Sequence, residues 1–442
     1  MQLRRNISGK KREEGIVILL VAVVLLFVVG AMAVLAIDLV SFYTARSEAQ
    51  LAADSAALAG ARVLANSGVT SNPSDSTLST NAQAIASAVA TQVAVSNKVG
   101  GRSLNPATEV TISFAGGSSV IIGTLGPNPR IIVRVTRSDI PTFFARIWGN
   151  TQLALSATST AEAYNSSFAG GTPRTAPTCV KPWVLPNLDP RDNTAIFDSA
   201  TGAVQNHAGQ TPPTLLGYTD MTGLLRSRCN NCVLNPDPAT RDPVAWRFYP
   251  GAEADFRVPT QSLPTCNGVV LNNYQTSIAG CVSEPIACNS RVRLDHNVTP
   301  PLFPQTNQAV NCLTHSVGLN PSGGDQIVGN PASGQPFQFQ AGDNNPVVNA
   351  RGSSVMVSDS LVTVPVYDSN AFAPGSTPVT IIGFVQLFLN PDGNPSLGGV
   401  NGGANATVVN LVGCGTGSGG RPILGNGTSP VAVRLVAPGG GT

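Results

Sequence analysis

Cys229 and Cys232, three positions apart in a 442-residue chain, have the spacing of half a zinc knuckle or of a thiol redox motif. A structural zinc needs a second matched pair, and Cys281 and Cys288, seven apart, do not supply it. A thioredoxin-like site needs the pair to open a helix, whereas Val233-Leu234-Asn235-Pro236 follows. Cys179, Cys229, Cys232, Cys266, Cys281, Cys288, Cys312 and Cys414 form an even set, as expected of structural disulfides in an oxidising compartment. Eight thiols allow roughly a hundred pairings, so spacing leaves the connectivity open. His207, His296 and His315 are a small supply for acid–base or metal chemistry. Asn390-Pro391-Asp392-Gly393-Asn394 could suggest a calcium loop, but a surface turn explains it with fewer assumptions. No phosphate loop, nucleophile elbow or His-containing zinc motif occurs. The residues therefore read as a non-enzyme with no catalytic, cofactor or metal site, although a triad dispersed in sequence stays open.

The elements around these residues follow from composition and period. Charged residues are 11% of the chain and the formal net charge is +2, which gives no electrostatic case for a nucleic-acid partner. With Gly 45, Pro 34 and aromatics at 5%, many short strands joined by turns are expected. Residues Ile16 to Ile37 carry no charge and no proline. As a helix they reach roughly 33 Å, enough to cross a bilayer. Arg4, Arg5, Lys10, Lys11 and Arg12 precede this span and few basic residues follow it, so residues 1–15 are expected in the cytoplasm and 38–442 outside it. Two processing readings compete with a plain anchor. Ala31-Met32-Ala33 fits a signal-peptidase site, and Glu14-Gly15 a prepilin-peptidase site, although Leu20 stands where prepilins carry Glu.

Past the span, Phe42, Ala45, Ala49, Ala52, Ala56, Ala59 and Val63 alternate spacings of three and four, a stripe along one helix side. Small residues there would let a neighbouring element, or another copy, come close. Arg46, Gln50, Asp54 and Arg62 run along another side, interrupted by Leu58, and Gly68 suits a left-handed cap after Asn66-Ser67. A second helix is predicted over Leu78 to Val95, with Ala82, Ile85, Ala86, Val89 and Val93 on one face. Period-two strands follow at Val110–Phe114, Ile131–Val135 and Leu153–Ala163, with a short helix over Thr142 to Trp148. The sum is an α+β unit over 38–165.

The stretch IDLVSFYTARSEAQLAADSAALAGA, directly after the apolar span, resembles the N-terminal region of the TadE/TadG-like family of Flp pilus-assembly (tight adherence) proteins. Asp38, Arg46, Gln50 and Asp54 occupy that family's motif positions, and Asp139 to Ala163 is similar to its next landmark. The likeness covers roughly the first third of the chain. It implies a non-catalytic envelope component of a pilus or secretion apparatus. The expected partners are the lipid bilayer and other pilus-assembly or envelope proteins, and the post-membrane helix offers a route to self-association. The place implied is the bacterial inner membrane, single-pass, with the bulk of the chain in the periplasm. Some TadG-type proteins carry a D-x-S-x-S metal site. The nearest string, Asp75-Ser76-Thr77-Leu78-Ser79, reads instead as an ordinary helix cap.

A Gly/Ser/Thr/Pro-rich linker over 166–177 separates this unit from an exported β-rich domain over 178–442. Strands are predicted there at Ser354–Val357, Leu361–Tyr367, Val379–Leu389, Thr407–Val412 and Val431–Val436. Val379–Leu389 is apolar nearly throughout, as for a central strand buried on both faces, and Gly383 marks a bulge or a close approach. An anchored binding module of adhesin type is the alternative function, and an anchored hydrolase a more distant one.

Overall fold

Helix α1 runs unbroken from Lys10 to Asn66, 57 residues, or about 85 Å at the helical rise. It belongs to a computed structural model that describes residues 10–115, 128–142, 149, 151–168, 175–219, 246–247, 273–282, 286–292, 303–316, 323–369, 378–389, 406–415, 423–424 and 429–436. Helix α2 spans Ser76–Ser96 and starts on Asp75, whose Oδ1 accepts from Leu78 N at 2.9 Å. The D-x-S-x-S string is that cap. A hairpin of β1 (Lys98–Val99) and β2 (Arg102–Ser103) precedes β3 (Val110–Ala115), β4 (Arg130–Pro141) and β5 (Gln152–Tyr164). The helix expected over Thr142 to Trp148 falls, after Thr142, outside the described residues.

Farther on come β6 (Thr175–Ala176), β7 (Trp183–Pro186), β8 (Trp246–Arg247), α3 (Asn273–Ala279), β9 (Arg291–Val292) and α4 (Phe303–Leu313). A small antiparallel sheet, β10 (Gln326–Val328), β11 (Gln338–Gln340) and β12 (Ser354–Val355), leads to β13 (Leu361–Tyr367), β14 (Val379–Leu389) and β15 (Ala406–Gly413). The short β16 (Ile423–Leu424) and β17 (Ala432–Val436) end the described chain. The class is α+β: a long N-terminal helix, mixed strands and helices, and disulfides toward the C-terminus.

The main sheet has the order β15-β14-β13-β7-β8, with β9 added at the start of β14. Among the described strands of this sheet, only β13 and β7 pair in parallel. The apolar run of β14 sits between β13 and β15 with nearly every residue buried, so both its faces are covered. The register slips between Val366 and Tyr367, opposite Gly383. A Cβ on Gly383 would lie 2.6 Å from the Phe197 ring, so this position needs glycine for a close approach. Trp183, Leu185, Phe197, Val364, Val385 and Leu411 centre the core there.

The C-terminal strand returns to the N-terminal region. β17 pairs antiparallel with the end of β5, from Ala432 opposite Tyr164 to Val436 opposite Thr160, in a sheet of order β17-β5-β4-β3. Glu162, its side chain 3% exposed, bridges Arg130 at 3.3 Å and Arg434 at 3.0 Å. The stretch read as a linker begins with a 3-10 turn, Ser166–Phe168, and ends in β6, which pairs with β16. Two compact units result: Met1–Ala56 with Thr91–Ile112 and Val133–Ser159, and Ala57–Ala90 with Ser113–Ile132 and Thr160–Thr442.

In the second unit the face of α2 differs from the expected one. Ala82, Ala86 and Ala90 are fully buried, while Ile85 and Val89 are only half-buried. The reason is proximity: a Cβ on Gly60 of α1 would sit 2.3 Å from Ile131 Cδ1 and 3.3 Å from Ala90 Cβ. Small side chains occupy that seam because larger ones would overpack it.

Candidate functional site

The chemistry of this chain concentrates on α1: what its first half exposes and how its last turn is held. Between Ile16 and Ile37 the large apolar side chains other than Val34 stand out of the fold, with Phe27 78% and Leu26 74% exposed. The most apolar window has a mean hydropathy of 3.3 and none of it is buried. An exposed apolar surface of this size needs an apolar medium, and the segment is a candidate membrane span.

Beyond the span, Asp38 is buried, Phe42 is half-buried, and Ala45, Ala49, Ala52, Ala56, Ala59 and Val63 are all buried within the single chain. Arg46 and Gln50 face solvent, and Gln50 Nε2 donates to Asp54 Oδ1 at 2.7 Å, one helical turn on. A leucine at Ala52, which is 0% exposed, is expected to cost on the order of 1–3 kcal/mol by overpacking. Gln50→Ala should change stability by less than about 0.5 kcal/mol. Protease resistance of the full chain in detergent reads the difference. Equal tolerance of both substitutions would refute a sterically limiting stripe.

The helix ends at Asn66, and Gly68 takes the left-handed conformation, φ +85°. Its last turn and the loop after it are then bound to β15 through Asn410, a fully buried amide. Asn410 Nδ2 donates to Ala65 O and to Gln386 Oε1, both at 2.7 Å. Its Oδ1 accepts from Thr70 Oγ1 at 3.2 Å and Ser71 Oγ at 3.3 Å. Asn165 Nδ2 bridges Thr70 O and Leu411 O, each at 3.0 Å. Asn66 Nδ2 reaches Met356 O at 2.9 Å. The outer edge of β15 is closed by hydroxyls: Leu411 N donates to Ser71 Oγ at 2.9 Å and Gly413 N to Ser167 Oγ at 2.6 Å. These bonds satisfy a buried strand edge that would otherwise template pairing with another chain.

Other polar groups have structural explanations. Asp189, Asp192 and His207 bring ligand-type atoms within 4.8 Å of one another. Arg191 already occupies both oxygens of Asp189, at 2.7–3.2 Å. The two imidazole nitrogens of His207 face different carboxylates, Nδ1 toward Asp192 at 2.9 Å and Nε2 toward Asp189 at 3.5 Å. The ring thus bridges two carboxylates, whereas a chelated cation would need it to share one focus with them. The sequence reading passed over this cluster. Its one local sign is the pair of Asx turns in Asp189–Thr194, where Arg191 N and Thr194 N bond the preceding Asp side chains.

Lys181, 1% exposed, donates through Nζ to Ile278 O at 2.8 Å and to Gly280 O. It thereby closes the C-terminal end of α3, where the helix dipole favours a cation. Burial nevertheless pushes its ammonium down to about 7, and Asp359 opposes that shift. Cys179–Cys281, with Cα atoms 5.0 Å apart, ties the same two segments, and Cys288–Cys414, at 5.3 Å, ties the end of β15. Cys312 is also disulfide-bonded, and none of the described cysteines is free. Cys229, Cys232, Cys266, His296 and Asn390–Asn394 lie outside the described residues.

Residues 15–63 match a family model described as putative Flp pilus-assembly TadE/G-like, and residues 44–161 one described as putative Tad-like Flp pilus-assembly. No curated protein and no solved structure matches the chain.

Proposed function

Because residues 15–63 match a TadE/G-like and residues 44–161 a Tad-like model of Flp pilus-assembly proteins, we propose that the chain belongs to that family and is an inner-membrane-anchored, non-catalytic assembly component of such a pilus. In this reading α1 crosses the membrane once, residues 1–15 stay in the cytoplasm, and the strands and disulfides lie in the periplasm. The observation that supports it best is one continuous helix with two different tasks. Its first half exposes an apolar surface of bilayer length, and its last turn is hydrogen-bonded to β15. A binding module on a tether would need no such attachment. The β-rich region serves as a folded platform for other envelope proteins of the apparatus.

Topology is the direct test. Alkaline phosphatase fused after Thr442 should be active and a cytoplasmic reporter there silent, with the chain retained in the membrane after alkaline extraction. The reverse reporter pattern, or release of the chain, would overturn the anchored orientation.

A further inference from the structure

We propose that the phospholipid headgroup layer on the folded side of the membrane covers the outward face of α1 from Leu39 to Tyr43, so that the first compact unit is seated in that layer and not held above it on a stalk. This rests on the anchored reading above and adds the depth at which the anchor stops.

Leu39, Val40 and Tyr43 are 51%, 64% and 58% exposed, and at the helical turn angle they share about 100° of arc. Asp38 and Ala45, on the other side, are enclosed by the rest of the chain. Large apolar groups gathered on one exposed face mark an interaction surface. Continuity identifies what covers it. Between Ile16 and Tyr43 the only polar side chains are Asp38, which is buried, and Ser41, which is half-buried. The surface that the span offers to lipid therefore runs past Ile37 without a break. Thr44 extends it, because its Oγ1 donates to Val40 O at 3.0 Å and so finds its partner inside the helix. Arg46 and Ser47, both exposed, are the first side chains that call for water or phosphate.

Length gives the same boundary. Ile16 to Ile37 covers roughly 33 Å, close to the ~30 Å of a hydrocarbon core. Ile16 to Tyr43 covers about 42 Å, the thickness of a bilayer with its headgroups, ~40–45 Å. Tyr43 thus falls at the level where amphipathic rings concentrate, with the ring body toward the acyl chains and the hydroxyl toward the phosphates. Arg46 lies about 4.5 Å farther along the axis, where a long cationic side chain reaches phosphate. The other side of the helix shows that folded structure begins at this depth. Asp38, one residue past the span, is already enclosed. Gly100 N, in the turn between β1 and β2, donates to Glu48 Oε2 at 2.7 Å, so that hairpin is fixed to α1 about 7.5 Å past Tyr43. A stalk would leave the helix exposed all round at these levels.

The test uses the full-length chain reconstituted into vesicles of phosphatidylethanolamine and phosphatidylglycerol, with benzoylphenylalanine placed singly at Phe27, Tyr43, Leu51 or the exposed Val348. After irradiation, mass spectrometry of the chain should find phospholipid adducts at Tyr43 in a yield comparable to that at Phe27. Leu51, about 12 Å farther along the outward side, should give about tenfold less, as should Val348. In the cell's own membranes the adduct from Tyr43 should again be phospholipid. The proposal is overturned by a Tyr43 yield as low as that at Val348, by equal yields at Tyr43 and Leu51, or by a protein adduct from Tyr43, whether to a second copy or to another chain. Phe27 separates the two readings. Phospholipid adducts at Phe27 without any at Tyr43 overturn the seating alone, whereas none at Phe27 overturns the anchor as well.

Discussion

Asn410→Leu is expected to destabilise the chain by on the order of 3–5 kcal/mol, the largest effect of any single substitution considered for it. The side chain makes four hydrogen bonds in a site with no exposure. Leucine removes both donors and the acceptor while leaving Ala65 O and the Thr70 hydroxyl in place and dry. Each buried polar group deprived of its partner costs about 1–3 kcal/mol, more than a net hydrogen bond contributes. Asn410→Asp separates geometry from chemistry, because it keeps the acceptor but loses the Nδ2 donors to Ala65 and Gln386. Thermal unfolding in detergent should rank wild type above Asn410→Asp and Asn410→Leu by a wide margin. If Asn410→Leu stays within about 1 kcal/mol of wild type, the end of α1 is not held by this amide.

Stability should also rise with pH between 7 and about 9.5, and Lys181 should account for most of the slope. Its folded-state pKa is lowered to about 7 from an ordinary 10.5 by burial. Below pH 7 both the folded and the unfolded chain hold the proton, and the cost of the buried ammonium is fully present. Between the two values the unfolded chain binds more protons than the folded one, so raising the pH favours folding. At roughly 1.4 kcal/mol per pH unit, the rise from pH 7 to 9.5 is worth on the order of 3–4 kcal/mol. Lys181→Met should flatten the profile, even though it leaves two carbonyls at the end of α3 without their donor. Equal slopes for wild type and Lys181→Met, measured by chemical denaturation at matched ionic strength, would refute the assignment.

The parts of this fold that were legible in the sequence are those whose signal is local. Leu361–Tyr367 and Val379–Leu389 form strands with the expected bounds, because an apolar run between turn residues determines both ends. The helix after the span was legible from its spacing of threes and fours, and its end from Asn66-Ser67-Gly68. The inward face of α2 was legible in part: Ala82 and Ala86 are buried as expected, but hydrophobicity ranks Ile85 and Val89 above the buried Ala90. Closeness to Gly60 selects the alanines instead, and that closeness is a tertiary fact. The buried Asn410 amide was illegible for the same reason. Asn410 looks like a polar interruption in a strand, and its bond to Ala65 joins residues 345 positions apart. Asp189 and His207 likewise meet only once two loops are folded together.

The pairing of β17 with β5 bears on the order in which the protein can be made. Arg434 and Glu162, which join across those strands, are 272 residues apart. At synthesis rates of about 5–20 residues per second, the partner of β5 emerges roughly 15–55 s after β5 itself. During that interval the Tyr164 end of β5 has an open edge, and closing so long a loop is slow once the partner arrives. Glu162, which will be almost wholly enclosed, must wait solvated until β17 is delivered. A chain stopped before Ala432 would keep that edge open, so the sheet is finished only when Ala432–Val436 is in place.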